Sequence, residues 1–118
     1  MYFALSDILS PIKYTIFIHK NQLHLSLVKH EQLVLLMVLY KEECQAISEI
    51  LNTSMCGEIN QNILIVKLNT YTALVKNRYP LLLPRTELDR FREVLPDFIV
   101  KLQEVNVQMN MITPMEIQ

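Results

Sequence analysis

The sequence holds a single glycine, Gly57, in 118 residues. Phosphate-cradling loops and dinucleotide-binding turns need several glycines at fixed spacing, because only a bare backbone approaches a phosphate that closely, so both are excluded. None of Ser6, Ser10, Ser26, Ser48 and Ser54 lies in a GxSxG elbow, which removes the strained nucleophile turn of the α/β-hydrolases. Cysteine is almost as scarce. Cys44 and Cys56 form no CxxC and no disulfide framework, a usage that suits a reducing compartment and reads as small buried side chains. Long hydrophobic runs are missing too. The longest, Leu33 to Tyr40, falls far short of the ~20 residues a membrane-spanning helix requires, so no membrane partner is expected. The opening stretch MYFALSDILSP has no basic leader, and a cytoplasmic location is expected. Neither charge sign dominates: 11 Lys plus Arg against 12 Asp plus Glu give a net charge of −1, too little to draw phosphate or anionic lipid to the molecule as a whole.

What is present is apolar mass. Hydrophobic residues make up 51% of the chain and charged residues 19%, with a mean hydropathy of +0.21, richer than a typical soluble domain of this size needs. One domain spanning residues 1–118 is expected, long enough to bury roughly two thirds of its unfolded surface. From Tyr14 to Ile18 and from Leu23 to Leu27 apolar residues fall at every second position, the signature of strands with one covered face. Joined by Lys20-Asn21-Gln22, they make a hairpin. Pairing His19 with His24 puts Tyr14, Ile16 and Ile18 on one face with Leu23, Leu25 and Leu27, the core face. The following residues, rich in Leu, Met, Glu and Gln, are read as a helix from about His30 to Leu51, with Leu33, Leu36, Met37, Tyr40, Cys44, Ile47 and Leu51 as its buried stripe. With glycine so rare, Asn21, Asn52, Asn69 and Asn77 are the residues expected to take turn conformations.

The second half repeats the order. NILIVKL reads as a strand buried on both faces, and YTALVKN and YPLLLP as two more. A helix then starts near Thr86, with Leu88, Phe91, Leu95, Phe98, Ile99, Leu102 and Val105 as its stripe. Because the stripe keeps phase through Pro96, a continuous kinked helix is expected there. The fold class is therefore α+β: an antiparallel sheet with two main helices, in two strand-then-helix (ββα-like) blocks, about 1–56 and 57–106. The match of KNQLHLSLVKHEQL, from Lys20, to KNRYPLLLPRTEL, from Lys76, suggests a duplication with pseudo-twofold symmetry. Residues 107–118 follow as a tail in which Val107, Met109, Met111, Met115 and Ile117 keep the period of a strand.

Few residues offer chemistry. His19 and His24, facing each other across a hairpin, could chelate zinc or nickel, but neither cysteine nor a HExxH spacing supplies further ligands, so neither metal nor cofactor is expected. Asp89, Glu93, Asp97 and Glu104 on the second helix are read as a solvated face, since nothing encloses a pair and divides it into acid and base. No catalytic residue is assigned. Phe17, Tyr71 and Tyr79, with Lys13, Lys20, Lys67, Lys76, Arg78 and Arg85, allow a second reading as a single-stranded nucleic-acid binder. The leading reading is association: Val34, Leu35, Val38 and Leu39 make the first half of the first helix apolar all round, and a partner protein or second copy, a homodimer, is the expected cover.

Overall fold

Tight left-handed turns organise the first half of the chain. Lys20 and Asn21 both take positive φ, 51° and 60°, and so do His30 and Glu31, 49° and 66°. Two consecutive left-handed residues form the two-residue turn that matches the twist of an antiparallel hairpin. In the computed structural model, which describes residues 1–7 and 9–103, these turns join β2 (Ile12–His19) to β3 (Gln22–Lys29) and β3 to β4 (Gln32–Leu39). With β1 (Tyr2–Ala4) they form a four-stranded antiparallel sheet in the order β1-β2-β3-β4. Helix α1 (Lys41–Leu51) follows. Then β5 (Gly57–Asn60), β6 (Ile63–Lys67), β7 (Tyr71–Lys76) and β8 (Tyr79–Pro84) form a second sheet in the order β5-β6-β7-β8, and α2 (Arg85–Lys101) closes the described chain. The fold is α+β, with each half ordered as four strands and a helix.

The first hairpin has the parity its alternation requires: Ile18 pairs with Leu23, Ile16 with Leu25 and Tyr14 with Leu27. The turn is two residues tighter than a His19–His24 pairing, because His19 pairs with Gln22 and His24 with Phe17. The helix expected from His30 is corrected. Residues 32–39 are strand, and only Lys41–Leu51 is helical. Periodicity cannot separate helix from strand in an all-apolar run such as LVLLMVL. The His30–Glu31 turn decides it, returning the chain onto β3 so that pairing outweighs the helix propensity of Leu and Met. Only alternate residues of β4 then face the core: Met37 and Leu39 are buried, whereas Leu33, Val34 and Leu36 are exposed.

The second half needs a smaller correction. Strand β6 is covered on one face, since Ile63 and Ile65 are buried but Leu64 is 40% exposed. Its partner hairpin turns at Asn77 and Arg78, φ 53° and 72°. In element order this β7–β8 turn corresponds to the β3–β4 turn and not to the β2–β3 turn. Leu74-Val75-Lys76 before it repeats Leu27-Val28-Lys29. The helices agree likewise: Glu87, Glu93 and Leu95 stand in α2 where Glu43, Glu49 and Leu51 stand in α1. Helix α2 runs through Pro96 without interruption, its Leu88, Phe91, Val94, Leu95 and Phe98 buried.

One hydrophobic cluster joins the halves, with Ile16, Leu25 and Leu39 from the first sheet, Ile65, Leu81 and Leu83 from the second, and Ile47, Phe91 and Phe98 from the helices. The helices pack against each other and against strands of both sheets. Two polar bridges tie sheet to sheet. Tyr14 Oη donates to the Leu82 carbonyl at 2.7 Å, and Lys76 Nζ donates to the Val38 carbonyl. Lys76 also pairs with Glu43 at 3.4 Å, and Glu43 accepts the Tyr40 N–H at 2.9 Å, capping the start of α1.

Candidate functional site

In a strand every residue not facing the core faces the opposite way. On the first sheet these outward residues line up across the strands. One row runs Tyr2, Phe17, His24, Val38, and the next runs Ala4, Thr15, Ser26, Leu36. The first row is a stack: Tyr2 and Phe17 rings lie 6.5 Å apart at 26°, Phe17 and His24 5.0 Å apart at 15°. His19 meets His24 edge-on at 5.7 Å. In the second row the Thr15 and Ser26 hydroxyls hydrogen-bond to each other and are buried by their taller neighbours, so the polar centre of the face is satisfied internally. None of β1 to β4 contains Asp or Glu. The result is an acid-free, largely apolar face, rimmed by Leu33 and Val34, 61% and 53% exposed, with Leu36 at 44% inside the rim and Lys13 in the row of Val28 and Leu33.

His24 belongs to this face in an unusual way. Both its ring nitrogens are buried and have no hydrogen-bond partner among the described residues. Burial pushes its pKa below the ordinary 6.5; the nearby His19 backbone opposes this and the His19 charge adds to it.

Among the described residues the sheet also has an open edge, β4. Edges invite pairing with other chains, and proteins blunt them with shortness, charge or proline. Strand β1 has three residues. Strand β5 has four, includes Glu58 and pairs irregularly, and β8 carries Pro80 and Pro84. Strand β4 has eight residues with neither charge nor proline, and its one edge-blunting device is a bulge near Val34. Since the Val38 carbonyl points out to Lys76, period two aims the Leu36 peptide outward as well. Among the described residues no hydrogen bond other than that from Lys76 reaches this edge. A groove of about 270 Å³ runs beside it, between Leu35 to Val38 and the Lys76, Asn77 and Tyr79 of the β7–β8 turn.

The four residues expected to associate are not brought together. Val34 sits exposed at the bulge and Val38 lies half-buried on the outer face, while Leu35 packs against the core and Leu39 is fully buried within it. Phe17, His24, Leu33 and Leu36 replace the last two. The signal that could have found them is the recurrence of Leu-Val-Lys before a two-residue turn, which marks Leu33 to Leu39 as strand.

Other constellations remain separate. His30 lies in the β3–β4 turn, at the opposite end of the sheet from His19, and no group of three metal-ligating side chains occurs among the described residues. Asp89 lies 4.0 Å from Arg85 and 3.8 Å from Arg92, so the cleft of about 360 Å³ at the start of α2 has its acid and bases facing one another. Cys44 is fully buried and its thiol is pushed up to about 12, chiefly by burial and then by Glu43. Phe17 stands on the first sheet, but Tyr71 and Tyr79 stand on the second, and Lys76 is taken up by Val38 and Glu43. No helix of the described residues is long and apolar enough to cross a membrane.

Fold and site together define an α+β protein of two four-stranded antiparallel sheets with an apolar outer sheet face. Comparison with protein-family models, with characterised proteins and with solved structures found no match to the chain.

Proposed function

We propose that the protein is a small self-association module in which the outer face of the first sheet meets the same face of a second copy. The observation that carries this reading is the acid-free face of Phe17, His24, Leu36 and Val38 bordered by exposed Leu33 and Val34. A largely apolar face with no acidic residue complements itself, and a twofold contact needs only one such patch. The second sheet also shows Leu64 and Leu82, but Glu58, Pro80 and Pro84 interrupt it. We read the two halves as copies of one ββββα unit related by a pseudo-twofold. The residues shared around the last turns and in the helices support this. So do the two bridges, whose acceptors Val38 and Leu82 stand two residues before Tyr40 and Pro84, the caps of α1 and α2.

An amide chemical-shift dilution series tests the face. Shifts that move with concentration at Phe17, His24, Leu36 and Val38 are expected. Movement confined to Leu64, Val75 and Leu82 would put the contact on the other sheet, and no movement up to millimolar concentration would remove the reading. A second reading, single-stranded nucleic-acid binding, is favoured by the Tyr2–Phe17–His24 stack alone, since bases stack on such rings. Salt-sensitive binding of an oligonucleotide, lost in Phe17→Ala, would raise it above the first.

A further inference from the structure

The inner face of the second sheet changes character at one end. Its rows run Ile65, Leu74, Leu81 and then Lys67, Thr72, Leu83, so an aliphatic row is followed by one that opens with a lysine and a threonine. Helix α2 presents Arg85, Asp89 and Arg92 to that end, and the cleft of about 360 Å³ lies between. We propose that this cleft binds a small phosphate monoester, held by Lys67, Thr72, Arg85 and Arg92. The site is separate from the association face, since all four residues lie in the second half of the chain.

Three observations carry the proposal. The first is an unpartnered hydroxyl. Ser6, Thr15, Ser26 and Thr72 are the buried polar side chains among the described residues. Ser6 accepts the Tyr14 N–H at 3.0 Å, and Thr15 and Ser26 bond to each other. Thr72, 4% exposed, lines the cleft and makes no side-chain hydrogen bond among the described residues. A buried hydroxyl costs free energy until a partner takes it up.

The second is an excess of positive charge. Among the described residues Asp89 is the one carboxylate that lines the cleft, against Lys67, Arg85 and Arg92. Its oxygens lie 4.0 Å from Arg85 Nε and 3.8 Å from Arg92 Nη1, beyond hydrogen-bond reach, and Arg92 Nε is buried without a partner among the described residues. Three cations against one anion leave a surplus of two, the charge of a phosphate monoester a little above neutral pH, and a guanidinium matches its oxygens in pairs. Pro84 gives α2 no side-chain cap, so the open N–H groups of its first turn add to the field. Glu87, the acid of that turn, does not line the cleft. Leu68 and Tyr71 do, 46% and 44% exposed, and they offer an apolar wall to a ring-sized group on the ester.

The third is that the fold does not require a polar set here. Thr72 stands five residues before the left-handed turn at Asn77, as Leu25 stands five before the turn at His30. Leu25 pairs with Ile16 where Thr72 pairs with Lys67, and both Leu25 and Ile16 are fully buried aliphatics. Counted from the first helical residue, Ser48 holds in α1 the place of Arg92 in α2. The first half closes the same architecture without these groups.

Amide chemical-shift titration of the full chain with phenyl phosphate, at about pH 7.5, tests the proposal, with inorganic phosphate and phenol as separate titrants. Saturable shifts are expected at Lys67 to Thr72 and in the first turn of α2, with inorganic phosphate weaker at the same residues and phenol without effect. Arg92→Gln should weaken phenyl phosphate at least tenfold. Thr72→Val should weaken it several-fold and, because it deletes an unpartnered buried hydroxyl, raise the urea midpoint of the ligand-free chain. A hydroxyl that serves the fold alone gives the reverse, a lower midpoint with affinity unchanged, and that result overturns the proposal. So does the absence of saturable shifts up to about 10 mM, equal affinity in the parent and Arg92→Gln, or phenol binding as tightly as its phosphate ester. An oligonucleotide without a terminal phosphate that occupies the same residues more tightly overturns it too, because backbone diesters would then be the ligand.

Discussion

At the residue scale, the main determinants are side chains whose polar atoms are either bridged or enclosed. Tyr14 is buried and its hydroxyl donates a hydrogen bond to the Leu82 carbonyl across the sheets; its pKa is raised by that burial and by Glu87. Tyr14→Phe leaves the Leu82 carbonyl without its donor and should cost about 1–2 kcal/mol in urea unfolding. His24 yields a pH signature. Its pKa is lower folded than unfolded, so below the ordinary value of 6.5 the unfolded chain binds the extra proton and stability falls with falling pH. Above 6.5 this contribution is fully in place. The urea midpoint should therefore drop between pH 7.5 and pH 5 more steeply in the parent than in His24→Gln; parallel curves would show that the ring is not enclosed. Cysteine gives a third expectation. Cys56 is exposed and Cys44 is enclosed with a thiol raised to about 12, so a thiol reagent should label one cysteine per native chain and two after unfolding. These residues were only partly legible. The sequence marks Tyr14 as core and Cys44 as buried, but a bridge from Tyr14 to Leu82 depends on how two sheets meet, which no local pattern records. The enclosure of His24 follows from its pairing with Phe17, two residues along from the His19 partner expected from the sequence.

Among the elements, β4 separates what periodicity can decide from what it cannot. Clean alternation in β2 and β3 specifies their core faces, and the stripe of α2 survives Pro96, so these elements are readable from sequence. The run Leu33 to Leu39 has no polar residue to set a period, and the decision passes to a turn and to pairing with β3. The distinction is measurable. A helix would hold Leu36 and Met37 in the same buried stripe, whereas the strand buries Met37 and exposes Leu36. Met37→Ala should cost about 2–4 kcal/mol, as for a core methionine, and Leu36→Ala no more than about 1 kcal/mol. Equal costs would contradict the strand. The apolar surplus of this segment was legible as something in need of cover. Which residues need it was not, because a helix and a strand divide the same eight letters into different faces.

For the whole molecule, two ββββα halves share one core and, among the described residues, leave the outer faces of both sheets open. The first of these is apolar across its strands, and on the account given it is where the protein meets its own copy. On that proposal its function is association. Sedimentation velocity over a wide concentration range tests this most directly, on the parent chain and on Leu36→Lys combined with Val38→Lys. Both side chains point away from the core, so circular dichroism should show the variant folded. A burying interface does not accept two unpaired ammonium groups. The account predicts a parent that shifts from monomer to dimer as concentration rises and a folded variant that stays monomeric throughout. A parent monomeric at every concentration, or a variant that dimerises as the parent does, would contradict it.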